Sequence, residues 1–206
     1  MTQQLDIHPK TPQPRLIQQA CTAIRQGGVI VYPTDSSYAI GCHLDDKVAA
    51  EAIRHIRHLD AKHHFTLMCR DLSELASYAR VDDWVFRLLK KCTPDAYTFI
   101  LSATKEVPRR LQQMKRKTIG LRVPDNAIVQ ALLTELNEPL MSVTLQLPDA
   151  DLPIADVEDM PRWLNKQVDL IINGGHCGIT PTTVVDLTGD IPHILRHGKG
   201  DTQLFE

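Results

Sequence analysis

The 206-residue sequence has few aromatic side chains and no long apolar segment. Phe, Trp and Tyr make up 5% of the chain, which argues against a nucleic-acid site built on stacked aromatic rings. No run of about 18 apolar residues is present, so no helix is expected to cross a membrane. The first residues also lack the basic-then-apolar pattern of a signal peptide. We therefore expect a cytoplasmic protein without a membrane partner.

The sequence also lacks the common motifs of several enzyme classes. It has no G-x-x-x-x-G-K-[ST] loop, no G-x-G-x-x-G after a strand and no glycine-flanked serine elbow. These absences argue against a P-loop nucleotidase, a Rossmann dehydrogenase and a serine hydrolase, and no catalytic residue is assigned. The five cysteines are odd in number, scattered and without a Cys-x-x-Cys pair, so we expect neither disulfides nor a thiolate zinc site.

Histidines cluster in "RHIRHLDAKHHF", residues 54–65. His55 and His58 are three residues apart on a predicted helix, but no carboxylate set accompanies them, so no metal site is expected. A basic helix end exposed to solvent or facing RNA explains the cluster more simply.

Charge is segregated along the chain although the formal net charge is only −2. Residues 105–122 contain seven Lys or Arg and one Glu, whereas residues 134–160 contain seven acidic residues and no basic ones. Such segregation permits a basic surface that attracts phosphates, although most charge runs are simply solvated faces. The candidate RNA-binding residues in the basic segment are Arg109, Arg110, Lys115, Arg116 and Lys117.

Helical and strand patterns alternate along the chain. Apolar periodicity and capping residues predict helices over 15–28, from Asp46, after Asp71, over 84–91 and from Asp125, with Val48 of the second helix facing the core. Apolar runs predict strands at 29–32, 65–69, 97–103, 118–123, 169–175 and 182–187. The alternation predicts a single α/β (α+β) domain over 1–206, with an N-terminal arm at 1–14 and a twisted mixed sheet flanked by helices. The acidic, proline-rich stretch 147–161 is expected to be a surface excursion.

Two polar segments are candidates for a site. In "VIVYPTDSSYAIGC", residues 29–42, five hydrogen-bonding residues interrupt an apolar run, which predicts either a turn or the floor of a site. In "NGGHCGITPTTVVDL", residues 173–187, backbone N–H groups and hydroxyls could face an anion. Glycine turns between strands are common, and a plain turn is the more frequent explanation of the second segment.

Six segments resemble, in order, the motifs of the YrdC-like family and in particular its YciO branch. They are "YPTDSSYAIGC", "TPDAYTFIL", "IGLRVPD", "VDLIINGG", "PTTVVDL" and "LRHGKG". The resemblance implies a twisted sheet with a large concave groove, which we expect to be basic. The best-known members make threonylcarbamoyl-adenylate from L-threonine, bicarbonate and ATP, for the tRNA modification threonylcarbamoyladenosine. The family is also associated with binding of double-stranded RNA.

The resemblance also implies site residues by position. Substrate would be bound by Thr34, Asp35, Ser36, Tyr38, Arg57, Lys62 and Thr144. Nucleotide would be bound by Arg122, Ser142, Thr182, Thr183 and Arg196. Guanidinium groups and hydroxyls suit phosphate oxygens well. No cofactor is expected to be tightly bound, and ATP with Mg²⁺ would enter as substrates.

Departures from the synthase pattern separate two hypotheses. The Lys-x-Arg of the synthases corresponds to Arg57-His58-Leu59, and their Ser-x-Asn corresponds to Thr144-Leu145-Gln146. Loss of a charge-assisted hydrogen bond costs about 1.5–3 kcal/mol, which would weaken threonine binding unless Arg54, Lys62 or Arg70 compensates. The sequence thus favours an RNA- or nucleotide-binding protein, with double-stranded RNA or tRNA as the RNA partner. The alternative is a nucleotidyltransferase that forms or cleaves threonylcarbamoyl-adenylate.

Overall fold

The structure, a computed structural model, describes residues 2–60, 63–113 and 115–205. Five α-helices, four short 3-10 helices and ten strands are defined over these residues. The helices are α1 (Pro14–Arg25), α2 (Lys47–Arg57), α3 (Leu72–Tyr78), α4 (Asp83–Cys92) and α5 (Ala127–Leu136). The strands are β1 (Gln3–Asp6), β2 (Ile30–Tyr32), β3 (Ala39–His43), β4 (Thr66–Met68), β5 (Tyr97–Ser102), β6 (Thr118–Arg122), β7 (Leu140–Thr144), β8 (Leu170–Asn173), β9 (Thr183–Asp186) and β10 (His193–Arg196).

Helices α2, α3 and α5 begin at side chains that accept hydrogen bonds from their first backbone N–H groups. The Asp46 carboxylate accepts a hydrogen bond of 2.8 Å from the N–H of Ala49 at the start of α2. The Asp71 carboxylate accepts from the N–H of Glu74, and the Glu74 carboxylate accepts in return from the N–H of Arg70. This exchange confirms the cap that the sequence predicted for α3, since free donors at a helix start need such acceptors.

The ten strands form one mixed sheet in the order β1-β8-β2-β3-β7-β4-β6-β5-β9-β10. The pair β2 and β3 is antiparallel and joined by the turn that carries residues 33–38. Strands β4 and β6 run parallel, and β7 pairs with both β3 and β4. Strands β1, β3, β7 and β10 were not among those predicted from sequence, and β1 lies within the segment expected as an N-terminal arm.

Apolar side chains pack on both faces of the sheet. Helices α1 and α5 bury Ile24 and Leu132 against one face. Helices α2, α3 and α4 bury Ile53, Leu75 and Leu89 against the other. The prediction that Val48 faces the core is wrong, because its side chain is 83% exposed. It lies in the first turn of α2, on the side turned away from the sheet.

The stretch 147–161 is only in part the surface excursion expected from its charge. Ile154 and Met160 are buried against the larger core cluster. The N–H of Ile154 donates to the carbonyl of Leu145 at 2.8 Å, and the carbonyl of Ile154 accepts from the N–H of Tyr38 at 3.0 Å. These backbone bonds bring the excursion back onto the sheet beside β3 and β7.

Two further expectations concern the whole chain. Over the residues that the structure describes, no helix has the length and apolar character needed to cross a bilayer. All five cysteines carry free thiols, four buried and Cys177 half-buried. Burial raises the pKa of the Cys42 thiol to about 12 and that of Cys177 to about 11.

A candidate ligand-binding cleft

A cleft of about 350 Å³ lies over the middle of the sheet, and we call it the central cleft. Nine of the residues expected to bind substrate or nucleotide line it: Thr34, Ser36, Tyr38, Arg57, Arg122, Ser142, Thr144, Thr182 and Arg196. Other lining residues were not predicted, and the polar ones among them are Ser37, His63, His64, Thr66, Thr98, Gln146 and Asp151. The central cleft thus gathers residues from nearly the whole length of the chain.

The polar segment after β2 is both a turn and part of the floor. The Thr34 hydroxyl donates to the carbonyl of Ser37 at 2.6 Å and accepts from the N–H groups of Ser36 and Ser37. The Ser36 hydroxyl lies 3.1 Å from that of Thr34. Buried hydroxyls need partners, and this turn supplies them from its own backbone. The turn is therefore confirmed, and Thr34, Ser36 and Tyr38 of this segment line the central cleft.

Tyr38 fixes the glycine segment after β8. Its phenol donates to the carbonyl of Gly175 at 2.9 Å and accepts from the N–H of Gly174 at 3.2 Å. The N–H of Gly175 donates to the side chain of Asn173. Burial raises the pKa of Tyr38, so the phenol stays neutral and serves as a hydrogen-bonding group. The N–H groups of Gly174 and Gly175 are thus engaged within the protein, which fits the plain turn that was the more frequent explanation of this segment.

Asp35 and Arg122 form an ion pair whose side chains are 6% and 7% exposed. The other carboxylate oxygen of Asp35 accepts from the N–H of Asp125 at 3.0 Å. Asp35 itself is not among the residues that line the central cleft, and its expected contact with substrate stays a prediction. It orients Arg122, whose buried Nε has no hydrogen-bond partner among the described residues.

A second arginine is fixed close to Arg122. The Nε of Arg196 donates to the carbonyl of Thr182, and its Nη2 donates to the Thr182 hydroxyl, both at 3.0 Å. The Thr98 and Thr182 hydroxyls are 2.9 Å apart. Burial and the nearby charge of Arg122 lower the pKa of Arg196. Two guanidinium groups held this close favour an anion between them.

Thr183 does not line the central cleft, although its neighbour Thr182 does. Its hydroxyl donates to the carbonyl of Gly200 at 2.6 Å and accepts from the N–H of Gly198 at 3.1 Å. Successive side chains of a strand point to opposite faces, which explains the difference between the two threonines. Thr183 anchors the chain after β10, and its expected contact with nucleotide stays a prediction.

Arg57 supplies positive charge at a different part of the central cleft. Its Nε donates to the carbonyl of Thr144 at 2.8 Å, and burial lowers its pKa. Strand register separates this point from Arg122. Arg122 of β6 and Leu140 of β7 both pair with Met68 of β4, so they lie at the same level along the sheet. Thr144, which accepts the hydrogen bond from Arg57, is four residues further along β7. At about 3.3 Å per residue, the two levels lie about 13 Å apart along the strands.

The residues proposed to compensate for a missing cation are placed elsewhere. Arg54 donates to the carbonyl of Asp60 at 2.8 Å and lies 4.7 Å from the centre of the Phe65 ring. Arg70 donates to the side chain of Asn137 and pairs with Asp71. Neither lines the central cleft, and Leu59 also lies outside it. Lys62 falls outside the described residues.

Arg122 ends the basic segment and lines the central cleft, but the candidate RNA-binding residues of that segment do not. None of Arg109, Arg110, Lys115, Arg116 and Lys117 is among its lining residues. Arg110 donates to the carbonyl of Leu44 at 2.6 Å, and Arg116 pairs with Asp186 at 3.0 Å. Burial raises the pKa of Asp186, but hydrogen bonds from Thr188 and the charge of Arg116 outweigh it and lower the pKa overall. Arg109, Lys115 and Lys117 remain exposed.

Sequence reasoning missed His63, Thr66 and Gln146. His63 lies in the segment that joins α2 to β4, and Gln146 follows β7 by two residues. No cluster of three or more His, Cys, Asp or Glu that could hold a metal occurs within the described ranges. The resemblance had pointed at Gln146 through the altered Ser-x-Asn motif, whereas His63 had no signal beyond a histidine-rich segment.

The chain matches a known family over most of its length. Residues 22–198 match the Sua5/YciO/YrdC family, described as "Telomere recombination". The YciO protein of Escherichia coli strain K12 is 58% identical over 205 residues, covering 100% of both chains. The chain therefore belongs to the Sua5/YciO/YrdC family. The threonylcarbamoyl-AMP synthase of Vibrio vulnificus strain YJ016 is 28% identical over 161 residues, which are 77% of this chain and 86% of that one.

Solved structures agree with this placement. The crystal structure of E. coli YciO superposes with a TM-score of 0.96 at 58% identity and covers 100% of both chains. P. abyssi Sua5 complexed with L-threonine gives a TM-score of 0.87 at 22% identity, over 96% of this chain and 58% of that one. The second comparison shows a shared fold, and the protein is a relative of the threonylcarbamoyl-AMP synthases.

Proposed function

We propose that the central cleft binds an adenine nucleotide together with a small amino acid, as a site for forming or cleaving an acyl-adenylate. The observation that carries this proposal is the separation of positive charge into two places, Arg57 at one end and the Arg122–Arg196 pair at the other. A volume of about 350 Å³ falls in the range of about 300–1,000 Å³ typical of small-molecule sites.

The two ends suit different anionic groups. Two guanidinium groups beside the Thr98 and Thr182 hydroxyls suit phosphate, which carries more charge and more acceptor oxygens than a carboxylate. The single guanidinium of Arg57 suits the carboxylate of an amino acid. The intervening hydroxyls of Ser36, Ser142 and Thr144 supply neutral hydrogen bonds. A ligand with a phosphate at one end and a carboxylate at the other matches this order.

Catalysis at this site would rest on orientation and charge. In the forming direction, an oxygen of threonine-derived carbamate attacks the α-phosphorus of ATP and pyrophosphate leaves; cleavage is the reverse. The arginines stabilise negative charge on the phosphates, and no covalent nucleophile is required. Magnesium would enter with the nucleotide, in the cytoplasmic setting that the sequence leads us to expect.

Calorimetric titration of ATP and L-threonine, with bicarbonate and Mg²⁺ present, tests the proposal. Arg196→Gln should weaken ATP binding, and Arg57→Gln should weaken mainly the contribution of L-threonine, each by about 10- to 100-fold for a lost charge-assisted hydrogen bond. Arg70→Gln, a cation outside the central cleft, is the matched control and should change neither affinity. Equal binding by all three variants would contradict the assignment.

Binding of double-stranded RNA or tRNA is a second candidate, and it uses a different surface. Arg109, Lys115 and Lys117 are exposed and outside the central cleft, so they are available to backbone phosphates. Affinity for a duplex RNA should then fall steeply between about 50 and 200 mM salt. The double variant Lys115→Gln/Lys117→Gln should weaken the dependence of RNA affinity on salt. The double variant Lys90→Gln/Lys91→Gln on α4 is the control and should leave that dependence unchanged.

A further inference from the structure

His63 is a polar group of the central cleft for which the proposed function has so far given no role. Its backbone is fixed on both sides: the N–H donates to the carbonyl of Asp60 at 3.1 Å, and the carbonyl accepts from Arg54 at 3.4 Å. Its ring meets the Phe65 ring edge-on, with centroids 6.4 Å apart and an angle of 84°. The imidazole thus packs against Phe65 and lines the central cleft, where it lies close enough to Arg57 for that charge to affect its pKa.

The ring nitrogens of His63 have no hydrogen-bond partner among the described residues. His43 provides a contrast, since its Nε2 lies 3.1 Å from the Glu138 carboxylate and its Nδ1 accepts from the N–H of Asp45. His63 is half-buried and lines the cleft. An oriented imidazole with both nitrogens unused by the protein is suited to a ligand contact.

The charged groups around His63 are mainly positive. Arg54 and Arg57 face it from α2, and His64 and Asp60 flank it in its own segment. Asp151, from the excursion at 147–161, is the carboxylate of the cleft lining. Burial lowers the pKa of His63. The positive charges of Arg57 and Arg54 and the neighbouring His64 lower this pKa further, whereas the charge of Asp60 raises it. The imidazole is therefore neutral at pH 7 and both donates and accepts hydrogen bonds.

We propose that His63 is a binding residue of the central cleft that, beside Arg57, hydrogen-bonds the carboxylate-bearing part of the ligand. This inference rests on the proposed function, because it requires the amino-acid end of the ligand to lie near Arg57. A neutral imidazole contributes a hydrogen bond without adding a permanent charge. An anionic ligand favours the protonated ring, so binding takes up a proton and becomes tighter as the pH falls through the range in which His63 titrates.

The test is titration of L-threonine into the protein saturated with ATP, at pH 5.5, 6.5 and 7.5. The carboxylate and ammonium groups of threonine do not titrate in this range. The terminal phosphate of ATP does, but it is the same in every variant, so the difference between the pH profiles of wild type and His63→Gln reports on His63. Wild-type affinity should rise several-fold toward pH 5.5. His63→Gln should bind about threefold to tenfold more weakly at pH 7.5, for a lost neutral hydrogen bond, and should lose the pH dependence.

Two further variants make the test specific. His55→Gln changes an exposed imidazole of α2 that does not line the central cleft, and it should keep the wild-type pH profile. His63→Lys supplies a permanent charge and should bind at pH 7.5 at least as tightly as wild type, with a flat profile. Rescue by lysine also separates a ligand contact from a folding defect, because a misfolded variant would not regain affinity.

The outcomes distinguish the two proposals. If His63→Gln keeps the wild-type affinity and pH profile while Arg57→Gln loses threonine binding, the role of His63 is overturned and the proposed function stands. Loss of the pH profile in His55→Gln would likewise overturn it. If the wild-type protein binds neither ATP nor L-threonine at any pH, the proposed function fails and this inference fails with it.

Discussion

Asp35 and Arg122, 87 residues apart in the sequence, form an ion pair at the edge of the central cleft in which both side chains are almost completely buried. Asp35 also accepts from the N–H of Asp125, so one carboxylate ties the turn after β2 to the end of β6 and the start of α5. The pair therefore both stabilises the fold and fixes the guanidinium that faces the cleft.

Replacing Asp35 by Asn should destabilise the protein strongly. Removing one partner of a buried pair leaves an uncompensated charge, which typically costs about 3–5 kcal/mol of unfolding free energy. Urea unfolding measures the change. Asp125→Asn, at an exposed carboxylate, is the control and should stay within about 0.5 kcal/mol of wild type. A loss below about 1 kcal/mol for Asp35→Asn would show that the pair is not desolvated as described.

Gly198→Ala should disturb the Arg196 end of the cleft. A Cβ atom at Gly198 would overlap the carbonyl oxygen of Pro181 and the carbonyl group of Thr182, and backbone atoms cannot move aside easily. We expect a loss of about 1–3 kcal/mol in unfolding free energy together with weaker ATP binding, since Thr182 holds Arg196. Gly189→Ala is the matched control, because the nearest atom there lies 3.9 Å away. Similar behaviour of the two variants would refute the packing argument.

Glu74→Gln should change how stability depends on pH. Burial raises the pKa of Glu74 above its ordinary value of 4.5, although the N–H and charge of Arg70 oppose the shift. The folded state then holds the proton more tightly than the unfolded state, so this contribution to stability is present below pH 4.5 and is lost as the pH rises through the folded pKa. Glutamine does not titrate, and the fall in stability from pH 4.5 to 7 should become smaller.

Urea unfolding at several pH values checks this change. Glu106→Gln, at an exposed carboxyl, provides the comparison and should leave the profile as in wild type. An unchanged profile in Glu74→Gln would mean that Glu74 is solvated in the folded protein.

Leu59→Arg should leave ligand binding unchanged. From sequence, an arginine at this position would restore the synthase pattern and raise threonine-dependent release of pyrophosphate. In the structure Leu59 packs against the larger core cluster and faces a surface depression lined by Arg54 and Arg110, outside the central cleft. We expect a stability loss of about 1–2 kcal/mol and no gain in pyrophosphate release. A higher rate would show that the side chain reaches the cleft.

Local sequence features predicted much of the secondary structure. The cap of α3 by Asp71 and the end of α1 before the Gly27–Gly28 pair follow from neighbouring residues, and both were confirmed. Strands β3 and β7 were not predicted, because they are defined by pairing with each other and with β4 across the sheet. Val48 was misplaced because apolar spacing alone does not fix which side of a helix meets the sheet.

The sequence by itself determined the family, the alternation of helices and strands, and most of the polar residues that line the cleft, since these are carried by short motifs. Only the tertiary structure decided which of two neighbouring residues in a motif lines the central cleft. Thr182 lines it and Thr183 does not, and Asp35 orients Arg122. His63 lines it together with Arg57, whereas Leu59 packs against the larger core cluster. The physical reason is that side-chain direction depends on strand pairing and long-range packing, which adjacent residues do not specify.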